Sequence, residues 1–409
     1  MHPLKLSSPT DMRPATKPLL PEKAPKQKKA VFHPKLISVE AVALREDIQN
    51  ACSDFEEGVG LDDKGYLRAL HEHAKYQSPG FNPVLIQALF RKHKKWFRSG
   101  SDIDPAKIKP KLFLVNNNQL SELFAIVRAL WSMPYNKGYG RRLRFVIVDE
   151  FHESVIGIVG LQSPPADLAC RDNLFDYPEG KKLELVNSTM DAYTVGAIPP
   201  YSFLLGGKLC AGMISTDTIR RAYWRQYAGK RTEMENVGIR QPLVAVTTTS
   251  AFGRSSMYNR LKFGERLLAE PIGFTQGYGT LHLEHLYGRI CEYLKSVDQH
   301  TEGGFGSGPK VRWQNITNAL SALSLPGSLL KHGVKREVFL FRFVDELAKG
   351  MTGGSFGKPI PLTEEQWGDF WKERWAIPRS KRLPLWNTNN DQDFLERKLA
   401  DITRACSKI

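Results

Sequence analysis

The residues best equipped for chemistry lie in two short stretches. In "YSFLLGGKLCAG", Gly206, Gly207 and Lys208 stand between a β-branched, aromatic run and a run of small and apolar residues. Strand, glycine turn and helix in that order present free backbone N–H groups at a helix start, which is the geometry of a phosphate cradle. The same glycines also permit close packing of a helix on a sheet, and the local sequence leaves both readings open. In "AFGRSSMYNRL", Gly253, Arg254, Ser255 and Asn259 bring a flexible turn, a cation and donors to an expected helix start, which suits an anionic ligand.

Other constellations carry less. His282 and His285 in "HLEH" could share a helix face as metal ligands, but no third ligand stands at a recognisable spacing, so no metal site is expected. Asp149, Glu150 and Glu184 with Lys181 and Lys182 could be recast as a nuclease set, yet the strand-end spacing for metal binding is not met. Ser255 and Ser256 have no nearby histidine to activate them.

Charge points to a phosphate-rich partner. The 409 residues carry a formal charge of +15, and a basic surface gains affinity for nucleic acid by counterion release whatever the fold. The first 35 residues hold eight Lys/Arg against two Asp/Glu, with seven prolines, and include Lys26, Lys28 and Lys29. Such a segment cannot bury enough apolar surface to fold, so residues 1–36 read as a disordered basic arm. A second cluster, "RKHKKWFR", places Arg91, Lys92, Lys94 and Lys95 beside aromatics at the end of a helical stretch. A solvated face would look similar, but the two clusters together favour contact with DNA or RNA. No apolar run approaches the roughly 20 residues of a membrane span, and the amino terminus has no secretory core. Five cysteines without a CxxC pair suit reduced thiols, so the expected location is cytoplasmic.

Residues 37–108 read as a helical domain, with helices expected over "SVEAVALREDIQNACSDF", "DDKGYLRALHEHAKYQ" and "NPVLIQALFRKHKKWFR". Residues 109–280 read as a mixed α/β domain. Its expected order is a strand at "KLFLV", a helix at "NQLSELFAIVRALW", a hairpin of "LRFVIVDE" and "SVIGIVGLQSP", and then the strand–glycine–helix unit. A helix, a strand at "PLVAVTTTS", a short helix at "SSMYNRLKF" and a strand at "AEPIGFTQGYG" complete it. Residues 281–409 read as a mostly helical companion region.

This order resembles the acyl-CoA N-acyltransferase fold of the Gcn-five-related type. The resemblance implies that Gly206, Gly207 and Lys208 sit on the loop that holds the coenzyme A pyrophosphate, with acetyl-CoA as cofactor. It also implies Tyr258 as the general acid for the departing thiolate. The adjacent glycines and the lysine depart from that family's loop, so the nest would be differently shaped. A longer resemblance runs through "VNSTMDAYTVGAIPPYSFLLGGKLCAGMIS", "TTTSAFGRSSMYNRLKF", "GFTQGYGTLHLEHLYGRICEYL" and "GVKREVFLF". These blocks are similar to the DruA family of Druantia antiphage defence systems. That resemblance implies a bacterial antiviral role beside a helicase-like partner and other defence proteins, and it identifies no reaction. Two function classes therefore stand: a nucleic-acid-binding or partner-recruiting component on an old scaffold, or an acyl-CoA-dependent N-acyltransferase.

Overall fold

Runs of β-branched and aromatic residues bounded by turn formers become seven strands of one sheet. These are β1 Pro110–Leu114, β2 Leu143–Asp149, β3 Ser154–Gln162, β4 Thr189–Ala197, β5 Ala245–Thr249, β6 Glu270–Phe274 and β7 Glu337–Arg342. Their order across the sheet is β1-β2-β3-β4-β5-β7-β6, and only β4 and β5 run parallel. The structure is a computed structural model that describes residues 39–407 apart from 61–63, 77, 79, 134–139, 233–235, 252, 254, 303–310 and 389–391. The expected basic arm, with Lys26, Lys28 and Lys29, lies outside the described residues, as does Arg254.

Every residue of β3 is buried, because helices cover both faces of the sheet, and this is why β2 and β3 read as near-continuous apolar runs. The longer helices are α1 Val39–Gly60, α2 Lys64–Tyr76, α3 Pro83–Lys92, α4 Asn118–Ala129, α5 Gly206–Met213, α6 Asp217–Tyr227, α7 Tyr287–Ser296, α8 Val311–Ala322, α9 Glu364–Trp371 and α10 Gln392–Cys406. Asn82 and Asn117 start α3 and α4 by accepting from Leu85 N and Leu120 N, satisfying donors the first turn leaves orphaned. On one sheet face, α5, α6 and α9 pack through Leu209, Tyr223, Trp367 and Trp371. On the other, α3, α4 and α10 pack through Phe90, Phe124, Leu395 and Leu399. A third core joins α1 to α7 and α8 through Leu44, Ile48, Ile290, Ile316 and Leu320.

Three placements differ from the sequence reading. The sheet is not contained in residues 109–280, because β7 comes from beyond them and bonds to both β5 and β6. The helical residues of 37–108 likewise divide, α1 packing with the later helices and α3 with α4 and α10. The short helix expected at "SSMYNRLKF" is instead a chain of turns followed by a two-stranded ribbon, Lys262–Phe263 with Arg266–Leu267. Arg260 sits in the left-handed region at φ 55°, which no α-helix tolerates in its interior, and the bend turns Tyr258 and Leu261 inward to bury both.

Candidate functional site

The start of α5 is a close-packed corner. Gly206 opens the helix where a Cβ would come within 2.6 Å of the Tyr201 carbonyl oxygen and 2.9 Å of the Ala197 side chain, so only glycine fits there. A Cβ at Gly207 would meet the Met257 sulfur at 3.2 Å. Above them α9 lays two indoles on the backbone, Trp371 donating to the Leu205 carbonyl at 3.1 Å and Trp367 to that of Leu209 at 2.9 Å. Lys208 donates to the Asn259 carbonyl at 2.9 Å, and its ammonium lies 5.6 Å from the centre of the Trp375 ring. Burial lowers its pKa, so the protein holds this cation at some cost and uses it to tie α5 to the turn.

The two stretches singled out in the sequence thus meet in space. Their meeting does not leave an open cradle. Tyr258 is enclosed at 4 % exposure, its ring 5.0 Å from Phe339 and its hydroxyl 3.4 Å from Thr248 Oγ1. Thr248 in turn donates to the Ala192 carbonyl, at the last paired residues of β4 and β5. The phenol therefore occupies the point where the two parallel strands part. Burial pushes its pKa far up, which makes it a poorer proton donor than an ordinary tyrosine. Gly253 has φ 55° and its carbonyl accepts from Glu337 N, and Ser255 Oγ accepts from Met257 N at 3.3 Å. Those groups serve the turn itself.

Three cations of the basic cluster at the end of α3 are ion-paired within the protein. Arg91 pairs with Glu396 at 3.2 Å, Lys92 with Glu122 at 2.8 Å, and Lys94 with Asp393 and Glu396 at 3.0 and 3.2 Å. His93 sits 2.5 Å from Glu122, and Lys95 lies near the Trp96 ring. These cations dock α3 on α4 and α10, so a nucleic-acid role for Arg91, Lys92 and Lys94 would have to break their pairs first.

A different set of cations is unanswered. Arg260 and Lys262 are exposed on the turn that Lys208 holds, and Arg374, Lys381 and Arg382 are exposed along the π-helical turn Lys372–Ala376 and the short helix Ile377–Arg382. Arg379, on that short helix, donates to the Phe203 carbonyl just ahead of α5, and Phe370 meets Phe263 of the ribbon at 5.3 Å, so the two segments share one edge of the molecule. Among the described residues none of these six has a carboxylate within ion-pair distance. The sequence reading missed this edge because its cations come from segments more than a hundred residues apart, and only the acid-poor run "RWAIPRSKR" could have signalled it.

The remaining candidates are structural. Asp149 is fully buried and accepts from Lys109 N, His152 Nδ1 and the Tyr201 hydroxyl, while His152 Nε2 accepts from Asp104 N. Both ring nitrogens are thereby used. Glu150 pairs with Lys111, Glu184 with Lys181, and Lys182 with Asp167 and Asp172, so no nuclease-like centre forms from them. His282 hydrogen-bonds the Leu329 carbonyl, and no metal-holding group of three or more ligands exists among the described residues. Nor, among them, is any helix long and apolar enough to cross a membrane.

Residues 62–353 match the family model described as Druantia protein DruA. A curated relative described as Druantia protein DruA, from Escherichia coli (strain UMEA 4076-1), is 33 % identical over 342 residues, covering 81 % of this chain and 84 % of the relative. No solved structure matches.

Proposed function

The chain belongs to the DruA family of Druantia proteins, and from that premise we propose that it is the nucleic-acid-contacting component of a multi-protein antiphage defence system, built on an acyltransferase-like scaffold. The observation that carries the reading is the contrast between two sets of cations. Those of α3 are spent on internal carboxylates, whereas Arg260, Lys262, Arg374, Arg379, Lys381 and Arg382 line one edge without them. Uncompensated arginines and lysines along an edge are what a phosphate backbone selects, since each contact releases condensed counterions.

Support for the scaffold comes from the sheet order, with an antiparallel run through β4, a parallel β4–β5 step and a glycine-opened helix after β4. That likeness does not extend to the chemistry. The start of α5 is roofed by two indoles, Lys208 is held by backbone, and Tyr258 fills the gap between the strands, so nothing favours an acyl-CoA reaction.

The test is a binding isotherm against double-stranded DNA and RNA at several salt concentrations. Replacing Arg379, Lys381 and Arg382 together by alanine should weaken binding and flatten the dependence of log affinity on log salt by about 2 to 3. A variant that folds and binds with the wild-type slope would exclude this edge.

A further inference from the structure

Away from that edge lies a cleft of about 350 Å³, walled by α2, the segment Tyr278–Glu284, α8 and the chain leading into β7. Its polar lining comes from His71, Tyr278, Thr280, Arg312, His332 and Arg336, with Glu284 beneath Arg312. The two arginines differ in kind. Arg312 is ion-paired to Glu284, which also accepts from Thr280 Oγ1, and its guanidinium lies 4.4 Å from the centre of the Tyr287 ring. Arg336 is part-buried in the cleft wall, and among the described residues its guanidinium has no ion pair. The nearby carboxylate of Asp191 is already taken by Gln162 Nε2 at 3.1 Å and Thr247 Oγ1 at 3.0 Å.

A guanidinium drawn part-way out of water with no carboxylate on it keeps its donors for what enters the cleft, and a charge-assisted hydrogen bond there is stronger than a neutral one. A planar fork of five N–H donors is matched best by a carboxylate or a phosphate. The walls add a second requirement. Tyr278 stands half exposed at the mouth, and burial together with the Arg336 charge keeps the His71 and His332 rings uncharged at neutral pH. Flat neutral rings around a cation suit a ligand with a stacking group and an anionic end, and the volume falls within the range of small-ligand pockets.

We propose that this cleft binds a nucleotide, its phosphate on Arg336 and its base against Tyr278 and the histidine rings. The phosphate monoester is the recognised chemistry, and it could come from a free nucleotide or from the phosphorylated end of a strand. The site is separate from the basic edge, so it stands or falls without the reading given for that edge.

Calorimetry on the full chain with AMP, adenosine and inorganic phosphate tests it. AMP should bind with one-to-one stoichiometry, adenosine at least tenfold more weakly, and Arg336→Gln should lose at least tenfold in AMP affinity. Should Arg336→Gln fail to fold, Tyr278→Ala, at an exposed position, should still weaken AMP severalfold. Competition by a 5′-phosphorylated oligonucleotide and not by its 5′-hydroxyl twin assigns the ligand to a strand end; no competition by either assigns it to a free nucleotide. The proposal is overturned if millimolar AMP gives no heat of binding, or if AMP binds equally to wild type and a folded Arg336→Gln. Inorganic phosphate as tight as AMP would overturn the assignment to a nucleotide.

Discussion

Burial beside a cation sets the protonation of two histidines. His71 is pushed down to about 4, first by burial and then by Arg336; His332 falls to about 4 by burial, then by His282 and Arg336. Their unfolded values lie near 6.5, so between pH 6.5 and 4 the unfolded chain binds more protons than the folded one. The stability they contribute is therefore complete above pH 6.5 and is lost as pH falls towards 4. For the well-buried His71 the loss is roughly 3 kcal/mol, and for the more open His332 it is smaller. Melting temperatures at pH 7 and pH 4.5 check this, because His71→Gln should lose less on acidification than wild type. An equal drop in both would show that His71 does not titrate as its burial requires. None of this was legible in "LHEHAKY", where His71 and His73 look like two exposed residues of an amphipathic helix. Arg336, which adds to the effect of burial, arrives from the chain leading into β7, and no local pattern encodes it.

Helix α9 explains why the glycines before it are glycines. A Cβ on Gly212 would lie 2.1 Å from the Trp367 indole, so α5 and α9 can approach only if that position is bare. Alanine for glycine inside a helix normally stabilises by about 1 kcal/mol. Here Gly212→Ala should destabilise by about 1–3 kcal/mol through overpacking, and Trp367→Ala by about 3–5 kcal/mol through the cavity it leaves. In the double variant the two losses should fall short of their sum, because the indole that the added methyl group would strike is gone; a denaturant series on all four proteins measures that coupling. Strictly additive losses would mean α9 does not seat on Gly212. At this scale much was legible: the β2–β3 hairpin, α4 and the strand–glycine–helix unit all follow from periodicity and turn residues. What the sequence hid was pairing between distant elements. β7 lay within residues 281–409, which read as mostly helical, and the acids paired with the α3 cluster belong mostly to α10, some three hundred residues on.

Across the whole molecule the excess of +15 has to be assigned to places. In the α3 cluster Arg91, Lys92 and Lys94 hold carboxylates, while Lys95 is exposed without one. The first 35 residues hold eight Lys/Arg against two Asp/Glu, and the edge around Arg379 and Arg382 has no carboxylate within ion-pair distance among the described residues. If both meet nucleic acid as proposed, each phosphate neutralised steepens the salt slope by about 0.9 on B-form DNA. Deleting residues 1–36 should therefore flatten the slope by roughly 3 if Lys26, Lys28 and Lys29 each meet a phosphate, while leaving the melting temperature unchanged. Lys94→Ala should do the reverse, lowering the melting temperature slightly by unpairing Asp393 and Glu396 while leaving the slope alone. If instead the deletion leaves the slope untouched and Lys94→Ala reduces it, then α3 opens its ion pairs to meet the nucleic acid, and the arm takes no part in binding.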